Sequence, residues 1–153
     1  MLLLSFDSIF RYTGIMIWKG NFSPEDEIKA RKFICDLFKL LFADGSYGFY
    51  CCRMSENYRM MARAYKSLGK KNEMFECLEK ASDFAIQFDT LKPDDEYTSF
   101  MIKGVELKGC YKDHTENDSG LLVKELKGKR YEDLKDDPRI NKILEKLAPV
   151  ATF

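Results

Sequence analysis

Arg59, Arg63 and Lys66 fall at i, i+4 and i+7 of one helical stretch, which sets three cations in a row on one helix face. A row of that kind can hold an acidic peptide or a terminal carboxylate through charge-assisted hydrogen bonds. The competing expectation is a solvated basic face, with Glu56, three positions before Arg59, satisfying it locally. Charged, exposed helix faces are the more common of the two. The single histidine, His114, follows Cys110 by four positions, with Asp113, Glu116 and Asp118 nearby. Thiolate, imidazole and carboxylate all bind metals, but structural zinc needs a closed set of four ligands and no second pair is spaced to complete one. A Cys110–His114 nucleophile pair lacks an orienting third group and an oxyanion site. These residues read as a solvated loop. Vicinal Cys51-Cys52 reads as small buried apolar side chains rather than a redox pair. Gly69-Lys70-Lys71 lacks the upstream glycine and preceding strand of a phosphate-binding loop. The expectation is therefore no catalytic residue, no metal and no cofactor, and a protein that is not an enzyme.

What must position the basic row is the stretch Ser55 to Phe88. On its first half Tyr58, Met61, Ala62 and Tyr65 recur at helical spacing, closed by Leu68. On its second half Met74, Leu78, Ala81, Ala85 and Phe88 make one face of a helix. Between them Gly69-Lys70-Lys71-Asn72 predicts a turn, with glycine where a helix end takes positive φ. The spacing of Tyr58, Met61, Ala62, Tyr65, Gly69, Leu78 and Ala81 resembles a tetratricopeptide-type repeat, with Met74 where that motif usually has a small residue. In arrays of that type the first helix of each hairpin lines a concave groove, which would put Arg59, Arg63 and Lys66 in it. A single hairpin does not bury enough to offset its ordering entropy, so the rest of the chain should supply stacked neighbours.

The remaining segments read as further helices. Leu2 to about Trp18 is apolar on several sides, with Gly14 as a soft interruption. Ser23-Pro24-Glu25-Asp26 is a strong helix start: a serine cap, proline in the first turn, then acids. The helix it opens runs to about Ala43, with Ile28, Phe33, Ile34, Leu37, Phe38, Leu40, Leu41 and Phe42 over a wide arc. Asp94 and Asp95 are expected to open a short helix carrying Tyr97, Phe100, Met101 and Val105, followed by a polar loop from Lys108 to Ser119. Leu121, Leu122, Val123 and Leu126 mark a helix from about Gly120 to Lys127. Asp136-Asp137-Pro138 starts the last, with Ile140, Ile143, Leu144 and Leu147 as its stripe and Pro149 as its stop. No strand pattern stands out. The prediction is an all-α chain of stacked antiparallel hairpins, a tetratricopeptide-like superhelix of about six to seven helices, forming one domain over residues 1–153.

Over its last three-quarters, the chain is similar to the C-terminal tetratricopeptide-like region of bacterial helix-turn-helix regulators of the XRE class. The likeness rests on Leu37-Phe38 through Asp44-Gly45-Ser46-Tyr47-Gly48-Phe49-Tyr50, the hairpin Tyr58 to Phe88, Ala85 through Leu91, Tyr97-Thr98-Ser99 and Asp136-Asp137-Pro138-Arg139. The resemblance implies a non-enzymatic region that dimerises and senses a peptide or other effector in transcription regulation. The sequence departs from that family in having no DNA-binding helical domain ahead of the repeats, so no direct nucleic-acid contact is expected. The alternative is a protein-interaction adaptor with no part in transcription.

Composition sets outer limits. The 153 residues carry 25 basic and 25 acidic side chains, so no net charge draws the chain to nucleic acid or an anionic membrane. Five irregularly spaced cysteines do not form a disulfide framework and fit a reducing cytoplasm. Met1-Leu2-Leu3-Leu4 lacks the basic flank and cleavage site of a signal peptide, and no stretch is long enough to span a bilayer. The apolar breadth of the first two helices, with no polar cap in front of them, predicts a homodimer.

Overall fold

In the computed structural model, Ser23 takes an extended conformation and its hydroxyl oxygen accepts a hydrogen bond from the Asp26 amide at 3.2 Å, so the second helix starts where the cap and proline predict. The structure describes residues 2–92, 95–100, 102–104 and 115–153, with the backbone alone for residues 2–4, 6 and 7. Among them the secondary structure is helical and no strand occurs. The α-helices are α1 (Leu2–Lys19), α2 (Pro24–Leu41), α3 (Cys51–Ser67), α4 (Lys71–Asp89), α5 (Asp118–Leu126) and α6 (Pro138–Leu147). Short 3-10 turns, Gly48–Tyr50 and Lys129–Leu134, lead into α3 and follow α5.

The centre is the hairpin α3–α4. Gly69 takes φ of +69°, the Lys70 amide reaches back to the Tyr65 carbonyl at 2.9 Å, and the Gly69 amide bonds the Lys66 carbonyl at 3.0 Å. This pair of bonds closes α3 and reverses the chain, and it needs a left-handed residue that only glycine adopts freely. Lys71 and Asn72 already belong to α4, so the turn is tighter than the sequence suggests. Met54, Met61, Met74 and Leu78 are fully buried between the two helices and their neighbours. An aromatic cluster continues the core towards α2: Phe42 lies 5.4 Å from Tyr47, 5.5 Å from Tyr50 and 5.7 Å from Tyr97, ring centre to ring centre.

Two expectations are corrected here. Residues 95–100 and 102–104 do not form a helix; they make a strap. Tyr97 and Ser99 are buried, the Ser99 hydroxyl donates to the Leu41 carbonyl, and Thr98 donates to the Asp44 carboxylate at 2.6 Å. The strap satisfies the open carbonyl end of α2 and adds Tyr97 to the aromatic cluster, which outweighs local helix propensity. The second correction concerns α2. Ile34, Phe38, Leu41 and Phe42 are buried by α3, the strap and the aromatic cluster, and only Phe33 and Leu40 stand well out in solvent.

The C-terminal elements close the other side. The Asn117 side chain caps α5 by accepting from the Gly120 amide at 2.9 Å, and accepts from the Thr152 amide at 3.0 Å. Its amide nitrogen donates to the Val150 carbonyl at 2.8 Å, so the last residues are tied to the start of α5. A Cβ on Gly120 would strike the Thr152 carbonyl oxygen, so that approach requires glycine. Leu122, Leu126, Tyr131, Ile140, Ile143 and Leu147 are all buried against the hairpin.

Candidate functional site

The basic row lies on α3 as predicted by its spacing, and the chain's own acids occupy it. Arg59 reaches Glu125 of α5 with Nη2 at 2.9 Å and Nε at 3.0 Å, and Arg63 donates from Nε to the other carboxylate oxygen at 2.6 Å. Lys66 donates to both carboxylate oxygens of Asp133 at 2.7 Å. Burial pushes the Glu125 carboxyl up, but the two guanidinium groups outweigh it and hold the group below its ordinary value. The Arg63 guanidinium is stabilised as a cation by the same pair. The expectation of three solvated cations is corrected on geometry, because each is three-quarters or more covered or nearly so and each holds a C-terminal acid. Glu56, expected beside Arg59, lies 3.6 Å from Arg53 instead. The basic row of α3 therefore faces acids of α5 and of the 3-10 stretch after it.

Below this row is a second polar layer that the sequence does not announce. Asp89, the last residue of α4, accepts from the backbone amides of Asp118 at 3.2 Å and Ser119 at 2.8 Å, fastening the start of α5. The Asp118 carboxyl is pushed up to about 6, by burial first and then by the charge of Asp89. On α3, Arg59 and Arg53 act on it in the opposite sense, while Glu56 adds to the rise.

Among the described residues, Cys35, Cys52 and Cys77 are not poised for chemistry. Burial pushes Cys35 and Cys52 up to about 12 and Cys77 to about 11, far from a reactive thiolate. Cys35, Cys51, Cys52 and Cys77 are all free. Among the described residues no group of His, Cys, Asp and Glu side chains could hold a metal ion. Cys110 and His114 lie outside the described residues.

The feature that remains open is a cleft of about 770 Å³ between α1, α2 and the first half of α3. Ile15, Ile17, Trp18 and Phe22 form one wall, Ile34 and Met60 the other. Arg31 lies largely buried within it, donating from Nε to Glu27 at 2.7 Å and from Nη1 to the buried Asn57 at 3.2 Å. Arg11 stands at the same cleft, and Gly14 leaves its wall open, with nothing within 4 Å of where a Cβ would stand. The helix that bounds it is lightly held. Phe10 meets Phe38 at 6.1 Å and lies under the Arg53 guanidinium at 5.0 Å, while Ile9, Tyr12, Ile15, Met16 and Trp18 remain exposed. Sequence reasoning saw the apolar breadth of α1 but not the cleft, because the cleft depends on how far α1 stands from α3.

A smaller recess of about 280 Å³ lies between α2, α3 and α4. Lys32 and Lys80 sit over the rings of Tyr65 and Tyr58, at 5.8 Å and 5.5 Å. Asp36, Glu73 and Glu76 balance its three lysines, Lys32, Lys39 and Lys80, so it has no net preference for an anion. Among the described residues no helix is long and apolar enough to cross a membrane. No family model, curated protein or solved structure matches this chain.

Proposed function

We propose that this chain is a non-enzymatic helical module that senses a ligand and associates with itself, with its hairpins stacked in the tetratricopeptide manner. The observation that carries the reading is the cleft under α1. It has the volume of a small-molecule site, mostly apolar walls and a few fixed polar groups at Arg31 and Asn57. One of its walls is α1, whose described side chains make few contacts with the rest of the fold, so an occupant can change how α1 sits. The same helix turns Ile9, Tyr12 and Met16 away from the cleft as an exposed stripe, a surface suited to a second copy of the chain. Ligand binding and self-association would then be linked through one element.

The likeness to XRE-class regulators supports a place in transcription regulation, as an effector-sensing region that does not itself touch nucleic acid. Four cysteines outside any disulfide, three of them buried, suit a reducing cytoplasm. Arg59, Arg63 and Lys66, proposed from sequence as a ligand groove, are engaged by Glu125 and Asp133, and the open cleft is the better candidate. The second reading, an interaction adaptor, is favoured by the exposed Phe33 and Leu40 on α2, which lie outside the cleft. Native mass spectrometry of the purified protein tests the first reading. A co-purified small molecule, lost in a Gly14→Leu variant that fills the cleft, is the expected result. A bare chain that no small molecule binds in the cleft would refute it.

A further inference from the structure

The charges lining the cleft, Arg11 and Arg31 against Glu27 and Glu56, balance in number but do not all pair within it. Glu27 is taken by Arg31, and Glu56 lies beside Arg53, which is outside the cleft. Arg11, at the cleft's edge, has no ion-pair partner among the described residues. Among the described residues the site therefore offers one guanidinium without an ion-pair partner, Arg11, beside apolar walls. Within it, Arg31 spends Nε and Nη1 on Glu27 and Asn57, which leaves Nη2 donors that a purely apolar occupant would cover and leave unpaired.

From this we infer that the cleft takes an amphiphilic monocarboxylate, an acid whose apolar body lies along Ile15, Trp18 and Phe22 while its carboxylate meets Arg11. The inference rests on the reading of the cleft as a ligand site and adds the chemical class. Two features narrow that class. A polyanion such as a nucleotide would need more cations than the one the cleft leaves unpaired, and a backbone cradle for phosphate. A neutral hydrocarbon would bury guanidinium donors without a partner. A single carboxylate matches the guanidinium fork in charge and geometry. The length of the apolar wall, from Gly14 to Phe22 along α1 and the turn after it, suits an extended chain.

The protein carries its own reporter. Trp18 is the only tryptophan, it lines the cleft, and it is 81% exposed, so an occupant lying along the wall should cover it. The experiment is a titration of the whole chain with decanoate and with decanol, read by Trp18 emission. Saturable blue-shifted emission with decanoate, and binding of decanol weaker by at least about tenfold, is the expected result. Arg11→Gln should bring decanoate down to the affinity of decanol and leave decanol unchanged. Gly14→Leu should abolish both responses, with helicity unchanged by circular dichroism. Equal binding of acid and alcohol, indifferent to Arg11→Gln but lost in Gly14→Leu, would overturn the carboxylate and leave the ligand cleft standing. If neither compound moves Trp18, both the carboxylate and the small-molecule cleft are refuted. A Trp18 shift with phosphatidylglycerol vesicles but none with monomeric decanoate would overturn the inference in favour of a membrane surface.

Discussion

Helices α1 and α3 are nearly equal in length, 18 and 17 residues, and α1 is the more apolar in sequence, yet α3 buries nine residues while α1, among its described side chains, buries only Ile17. The difference is one of order rather than amount. The apolar residues of α3 recur as a stripe packed against α4 and its neighbours, and the only polar residues the helix buries are Ser55 and Asn57. Those of α1 are spread around the helix, so no single neighbour covers them, and the neighbour it has, α2, is already committed to α3 and the strap. Hydrophobic composition sets how much a helix has to gain; periodicity and available partners decide how much it collects.

The largest test of that contrast is in the hairpin. Leu78 has no exposed surface, and Leu78→Asp places an unpaired charge among Met54, Met61 and Met74. The expected cost exceeds about 4 kcal/mol, enough to abolish the cooperative melting transition seen by circular dichroism. Retained helicity with an unchanged melting temperature would contradict the central place given to α3–α4.

Next comes the ionic seam between α3 and α5. Glu125→Ala leaves Arg59 and Arg63 covered without an anion, and should cost about 2–4 kcal/mol in urea denaturation. Because the Glu125 carboxyl is held below its ordinary value in the fold, its contribution is present at neutral pH and lost as pH falls through its folded value. Asp133 is far more open to solvent than Glu125, so Lys66→Ala alone should cost less than Glu125→Ala.

A smaller effect of opposite sign is expected at the start of α5. Burial pushes Asp118 up to about 6 from an ordinary 3.8, so the folded chain holds the proton that the unfolded chain releases between those values. Its contribution to stability therefore falls as pH rises from about 4 to 6, and above that range the ionised group is a net cost. Asp118→Asn should stabilise the protein at pH 7 by about 1–2 kcal/mol, an advantage that fades towards pH 4. Equal stabilisation at both pH values would show that the gain has nothing to do with titration.

Much of the fold was legible because its signals are local. Ser23-Pro24, Gly69, and Asp137-Pro138 each fix a helix end through their own backbone chemistry, and the observed boundaries fall within a few residues of the expected ones. The strap was misread because its Tyr97 and Ser99 answer to Leu41 and Phe42, more than fifty positions earlier, and nothing in the local pattern reports that. The partners of Arg59, Arg63 and Lys66 were hidden for the same reason: Glu125 and Asp133 are acids in a chain rich in acids, and only the return of α5 to α3 singles them out. The cleft has no sequence signature at all, since it is the space between elements rather than a run of residues.

The smallest expected change in stability carries the largest change in assembly. Ile9, Tyr12 and Met16 lie at i, i+3 and i+7 on the side of α1 away from the cleft, and all three are exposed. Glutamate at an exposed helix position alters stability by no more than about 0.5 kcal/mol, so Ile9→Glu with Met16→Glu should melt as the parent does. If that stripe is the face on which two copies meet, four like charges would be forced together across a two-fold axis, and association should weaken by several orders of magnitude, roughly. Sedimentation velocity at micromolar concentration should then show a dimer for the parent and a monomer for the double variant. A parent chain that sediments as a monomer removes the self-association proposal. A dimer untouched by the double change moves the interface to Phe33 and Leu40, whose paired replacement by glutamate is the corresponding test on α2. The first outcome is expected, because α2 keeps two apolar side chains well out in solvent while α1 keeps three, Ile9, Tyr12 and Met16, along one side.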